Sequence, residues 1–434
     1  MNQNDQHHYF TSFSASLLPL CSFIFIWGGV FFLYFTSPFK YNQISPRGWI
    51  YICGSLLSFI IGYILHGVLV IDKISIYRNL SENDIKPIIY IFQEKIKYTI
   101  FVLSLLVIIG SVWKLKILGG YVGGIIEYLK NPIRARYYVT LSSGNIVQGY
   151  SIYDTFASYL INFNIVNNLL GGLFFVISRK RSLIGWIPLV LATVVSIITF
   201  QRWLLLFSIC IWVVSGLYIP LYLTTDENCR AYKKIKIAIL FLSIVFAVFV
   251  VMLLTLRMDL KTEVVGQISI SVSDIIKKNL HSYLVGNVVN FDNFIHRFHD
   301  YHYGTSILRN IFKWFARIGI YNADAVIPTG YEFSNVGFIS LNTYSYMRIF
   351  YEDFGTIGLM ILSALWGLFS HWIIMIYKAR FSLYRLFFVC LIFHAIVMSF
   401  FSFSLLNIIV IGFSLFTILV INKLTGQIVI YARS

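Results

Sequence analysis

The sequence predicts an all-α, polytopic integral membrane protein with about ten transmembrane helices, twelve at the upper end of the range. Three observations lead there. Of 434 residues, 58% are hydrophobic and only 12% are charged, where an average soluble domain carries about 25% charged residues. Mean hydropathy is +0.77. Stretches of roughly 20 apolar residues, each long enough to cross a bilayer, recur along most of the chain. A globular cytoplasmic protein does not have this composition.

The first span runs over 13–35. No Lys or Arg precedes it and it exceeds a signal-peptide core in length, so it is expected to stay as an uncleaved helix. His7 and His8 ahead of it read as a solvated terminus. Further spans fall at 48–71, 98–118, 151–177, 183–200, 203–222 and 237–256, then at 355–377, 386–401 and 404–422. The chain is therefore expected to divide into a membrane domain at 1–256 with about seven helices, a long outer loop at 257–354, and C-terminal transmembrane helices at 355–434. No internal repeat of the kind common in secondary transporters is visible. The five cysteines are scattered without paired spacing, which speaks against a disulfide framework or a zinc site.

Basic residues set the orientation. Loops on one side carry Lys73, Arg78, Lys86, Lys95 and Lys97, then Arg179, Lys180 and Arg181, then Arg230, Lys233, Lys234 and Lys236, then Lys378, Arg380 and Arg385; Lys423 and Arg433 bring the total to 17. The short loops opposite carry eight. Both termini are thus expected in the cytoplasm, with 257–354 facing outward. Five of those eight, Lys114, Lys116, Lys130, Arg134 and Arg136, crowd one outer loop against the single acid Glu127. The formal net charge is +16, yet no basic patch interleaved with aromatics stands clear of the spans, so nucleic acid is not the expected partner. A basic outer face suits an anionic ligand; attraction to anionic outer-leaflet lipid is the plainer explanation.

Within the outer loop, Ile307, Leu308, Ile311, Phe312, Phe315 and Ile318 fall on one helical face, with Arg309, Lys313 and Arg317 largely opposite. This predicts an interfacial helix over 305–319. A second outer helix is expected over 273–285, capped by Ser273.

Charges are few, so their positions carry information. Arg202 stands alone in a tight outer hairpin and Arg257 ends the seventh span. Guanidinium groups suit bidentate phosphate recognition, although an arginine at a span end also serves as a snorkelling anchor. Arg348, Glu352 and Asp353 lie where the outer loop meets the eighth span, beside Asn342, Tyr344, Tyr346 and Tyr351. Arg348 and Glu352 are four apart and can pair along a helix, which leaves Asp353 available as a base. The tyrosines offer faces and hydroxyls of the sort that hold sugars. His296, His299 and His302 recur every three residues, a poor tetrahedral set; one histidine or Asp292 contributing to an acceptor site fits better. There is no Walker loop, dinucleotide fingerprint, His-Glu-x-x-His or nucleophile elbow, so no metal or nucleotide cofactor is expected.

The segment Ser334-Asn-Val-Gly-Phe…Asn342-Thr-Tyr…Arg348…Tyr351-Glu-Asp-Phe-Gly355…Gly358 resembles the bacterial oligosaccharide repeat-unit polymerases, the Wzy-type O-antigen and capsule polymerases. The hairpin arginine Arg202, the glycine-rich 119–124 loop with its basic tail, and the long outer loop are similar too. The resemblance implies a glycosyltransferase of the bacterial cytoplasmic (inner) membrane. It would move a growing glycan from undecaprenyl diphosphate onto a hydroxyl of the next lipid-linked repeat unit, at the outer face. Donor and acceptor glycolipids, membrane lipid and a chain-length regulator would be its partners. Arg202, Arg257 and Arg348 would cradle the diphosphate, Asp353 or Glu352 would act as base, and Asn342, Tyr344, Tyr346, Asp292 and His296 would contact glycan. An O-antigen ligase, a lipid-linked oligosaccharide flippase and a receptor or scaffold are the competing readings. The scarcity of acids inside the spans weighs against the flippase, and the outward arginines are left unexplained by a scaffold.

Overall fold

The computed structural model describes residues 3–70, 82–130, 152–178, 182–199, 202–219, 230–231, 233–240, 242, 278, 281–298, 300–317, 320–322, 334–338, 340–341, 343–379, 381–400 and 408–425. Among them the chain is overwhelmingly helical: α1 (Gln3–Phe35), α2 (Pro46–Val70), α3 (Glu82–Gly120), α4 (Ile125–Lys130), α5 (Ile152–Ile177), α6 (Ile187–Thr199), α7 (Arg202–Tyr218), α8 (Asn287–Ile295), α9 (Arg309–Arg317), α10 (Tyr346–Ala379), α11 (Leu383–Val397) and α12 (Ile408–Thr425). A two-residue antiparallel ladder pairs β1 (Ser334–Asn335) with β2 (Ser340–Leu341).

Among the described residues, five helices are long and apolar enough to cross a membrane: Ser16–Phe35, Pro46–Val68, Gln93–Gly120, Tyr153–Ile177 and Tyr346–Lys378. Leu183–Thr199, Leu204–Tyr218, Leu383–Val397 and Val410–Lys423 are apolar but shorter. At 1.5 Å per residue, a helix of 10 to 17 residues covers less than the roughly 30 Å of a hydrocarbon core. The expected 237–256 span falls mostly outside the described residues. Of the two outer helices, the first continues to Ile295 through a π-turn at Ser282–Gly286 and α8, and Ser273 lies outside the described residues. The second is shorter than expected, because residues 303–308 form turns ahead of α9.

Two compact units interleave in sequence. One holds Met1–Ile76, Val251–Ile376 and Leu391–Ile409, so the described residues between 281 and 345 belong with the first two helices. There α2 and α10 run parallel at backbone distance, because glycines remove the intervening side chains. A Cβ on Gly62 would collide with the Ala364 carbonyl, and one on Gly367 with that of Phe59. Small residues drive such contacts between helices in lipid, where apolar burial alone gives no preference. Phe23, Phe59, Trp27, Trp366 and Tyr346 pack beside this seam, the Phe23 and Phe59 rings stacked at 3.9 Å.

The other unit holds Tyr77–Val250, Tyr377–Cys390 and Val410–Ser434. Its centre is α5, mostly covered by its neighbours. Gly172 meets the Trp212 carbonyl, and Asn167 donates to Ser104 Oγ at 3.0 Å. Lys114 pairs with Asp154 in largely buried surroundings, which satisfies both charges. Arg202 opens α7 in this unit.

Candidate functional site at the break in α10

The eighth span was expected to begin at 355, but α10 starts at Tyr346, so Arg348, Glu352 and Asp353 lie on the helix. The span is broken at Gly355, with φ 64° and ψ −155°. Only glycine enters this region readily, and a Cβ here would also lie 2.8 Å from the Tyr301 ring. Just before the break, the carbonyls of Glu352 and Asp353 accept the backbone N–H groups of His302 at 2.9 Å and Tyr303 at 3.0 Å. The chain at His302–Tyr303 is thus docked on the break through its main chain.

Asp353 completes the docking. Its Oδ1 accepts from Ser306 N at 2.9 Å and its Oδ2 from Ile307 N at 2.8 Å, with the side chain fully buried. Expected as an alternative base, Asp353 has both oxygens occupied by main-chain donors. Its partners lie 46 and 47 residues away in sequence, beyond the reach of any spacing argument.

Arg348 sits in the corner formed by two rings set at 69° to each other. Its guanidinium carbon lies 3.9 Å from the Tyr344 centroid and 4.1 Å from the Phe294 centroid. Cation–π contacts of this kind contribute about 0.5–2 kcal/mol each. One edge faces Glu352, with Nη2 3.6 Å from Oε1, the i,i+4 pair that the sequence allows. Both side chains are nearly buried, Arg348 at 7% and Glu352 at 4% exposure. Glu352 Oε1 is also 3.8 Å from His302 Nδ1, while Oε2 accepts no hydrogen bond among the described residues. A buried carboxylate oxygen left unsatisfied costs about 1–3 kcal/mol, a cost that a bound hydroxyl would relieve.

Asp292 is also buried, but it serves the start of α2. Ser45 is the N-cap, its Oγ accepting Gly48 N at 2.9 Å, and Pro46 takes the first helical position. Asp292 accepts Ser45 N at 3.0 Å and Ser45 Oγ at 2.6 Å, placing a carboxylate at the positive end of the helix dipole. His296 is exposed, with Nε2 3.0 Å from Ser45 Oγ and 3.6 Å from Asp292 Oδ1. One ring nitrogen meets both partners, so this is not the relay geometry of a nucleophilic triad.

Of the expected glycan contacts, Tyr344 forms one wall around Arg348. Tyr346 is fully buried, its hydroxyl 2.7 Å from Ser55 Oγ, and its role here is helix packing. Asn342, Arg257 and His299 lie outside the described residues. Among the described residues no group of three metal-binding side chains occurs.

Sequence reasoning passed over Arg47, Phe294, Tyr301 and Ser306. Arg47 is exposed and donates to Tyr51 Oη at 3.0 Å and Tyr351 Oη at 3.5 Å. Tyr301 stands beside Tyr351, ring centroids 6.2 Å apart. A signal for Arg47 did exist: a cation in the first turn of a helix opposes the helix dipole and calls for a reason. No protein-family model, curated protein or solved structure matches the chain.

Proposed function

We propose that this chain is a membrane glycosyltransferase that polymerises lipid-linked oligosaccharide repeat units at the outer face of the bacterial cytoplasmic membrane. The observation that carries the reading is Arg348, packed against the Phe294 and Tyr344 rings beside the buried Glu352 carboxylate, whose Oε2 accepts no hydrogen bond among the described residues. Glycosyl transfer from a diphosphate carrier needs two things of a protein. One is a fixed cation for the departing phosphate oxygens, since donors that do not reorganise are the most effective. The other is an acceptor for the proton of the attacking hydroxyl. Arg348 supplies the first, and Glu352 and its surroundings the second. The exposed Arg47 and the tyrosines around it offer cationic and aromatic contacts for carrier phosphate and sugar. The diphosphate leaves with the electron pair of the broken glycosyl–oxygen bond, so the reaction needs no nucleotide.

A strain lacking this gene, complemented with the wild type or Arg348→Ala, tests the reading, with surface glycan resolved by gel. Loss of the long-chain ladder while single repeats still reach the surface is the expected phenotype of both the deletion and the variant, with Arg348→Ala lowering transfer by about 100-fold or more. Loss of all surface glycan would make the protein a ligase or flippase instead. A ladder that survives deletion would end the reading.

A further inference from the structure

We infer that His302 is the catalytic residue that takes the proton from the attacking hydroxyl, with Glu352, Ser306 and Asp353 positioning it; this rests on the glycosyltransferase reading above. His302 Nδ1 lies 2.9 Å from Ser306 Oγ and 3.8 Å from Glu352 Oε1. The ring is further held edge-on against Phe298, centroids 5.3 Å apart. Nδ1 is therefore engaged on the inner side, and Nε2 makes no hydrogen bond among the described residues. The side chain is partly exposed, at 28%, where Glu352 and Asp353 are enclosed. Of the three groups, the imidazole is the one an acceptor sugar can reach.

A line of contacts fixes that imidazole. Asp353 binds the backbone N–H of Ser306, Ser306 Oγ meets Nδ1, and the main chain of His302 is bonded to the Glu352 carbonyl. Among the described residues, the charged and titratable groups near the ring are Glu352 on α10 with its partner Arg348, Asp353 bonded to the 306–307 backbone, and Tyr301, the preceding residue in sequence. With Nδ1 protonated, Nε2 presents its lone pair. The acceptor oxygen forms its bond to the anomeric carbon, the bond from that carbon to the carrier phosphate breaks with its electrons on the diphosphate, and the hydroxyl proton moves to Nε2. The imidazolium is stabilised by the nearby Glu352 carboxylate and returns its proton to water.

The test uses purified full-length protein and lipid-linked repeat units extracted from the deletion strain. His302→Gln keeps the backbone hydrogen bond to Glu352, so the fold should survive, which a melting curve checks. The expected result is a fall in transfer rate of about 100-fold or more. Ser306→Ala, which removes only the orienting hydroxyl, should lower kcat by less than His302→Gln does and leave KM unchanged. A wild-type rate in a folded His302→Gln protein, with Glu352→Gln inactive, would overturn the inference and leave Glu352 as the direct base. A deletion strain with an unchanged ladder would remove the polymerase reading and this inference together.

Discussion

Glu352 and Asp353 are neighbours in sequence with opposite employment, and the difference should appear on neutralising each. Asp353→Asn must turn an amide NH2 toward a backbone N–H that now donates to a carboxylate oxygen, Ser306 N or Ile307 N. A buried donor left facing a donor costs about 1–3 kcal/mol, so the melting temperature should fall. Glu352→Gln keeps the shape and loses the partner of Arg348; its melting temperature should move less while transfer is lost. If the two variants melt alike, the division of labour is wrong. Another residue gives a pH signature. His281, 2.8 Å from the Tyr41 hydroxyl, is held below its ordinary value by burial. The folded protein then resists a proton that the unfolded chain takes up as pH falls through about 6.5. Stability should drop on acidification below that value and be untouched above it, and His281→Gln should flatten this part of a melting-temperature profile. At this scale the sequence disclosed the Arg348–Glu352 pair, which is local, and concealed the partners of Asp353 and Asp292, which are main-chain and capping groups far along the chain.

Helices were legible because a 20-residue apolar run has few alternatives in lipid, where every backbone group needs an internal partner. Their ends were not, since α10 carries three charges in its first two turns and hydropathy stops short of them. Gly355 is the clearest case: the sequence shows it only as one position of the 334–358 motif, with nothing to mark a positive φ, yet the break it permits docks the chain at His302–Tyr303. Gly355→Ala would force a Cβ toward Tyr301 in a backbone region that costs a non-glycine residue about 1–3 kcal/mol. The expected result is a helix that straightens locally, with protease cleavage near Tyr303 becoming faster. Unchanged proteolysis would mean the segment is held by other contacts. Along the same helix, Gly367→Leu places a side chain against the Phe59 carbonyl, a contact with backbone that cannot yield. Overpacking typically costs about 1–3 kcal/mol, and the variant should melt lower or fail to accumulate, whereas Gly28→Leu, with open space around it, should not.

For the whole molecule, the decisive property is which face of the membrane holds the break in α10. The parallel run of α2 and α10 puts Ser45 and Arg348 at the same end of their unit, whichever face that is. Only the charge distribution chooses the face: 17 Lys and Arg in the loops on one side against eight opposite. That asymmetry predicts cytoplasmic termini and an outward 257–354 segment. The eight outward cations weaken the bias in the same loops where an anionic substrate would be bound, so function and topology compete for the same residues. Reporter fusions separate them. An alkaline phosphatase fused after Lys130 or after Tyr321 should be active, since that enzyme matures only outside the cytoplasm, and one fused after Arg181 or Lys236 should be silent. The reverse pattern would put Arg348, Glu352 and His302 in the cytoplasm. Transfer from a carrier presented at the outer leaflet would then be impossible, and the basic segment would have to meet a cytoplasmic anion instead.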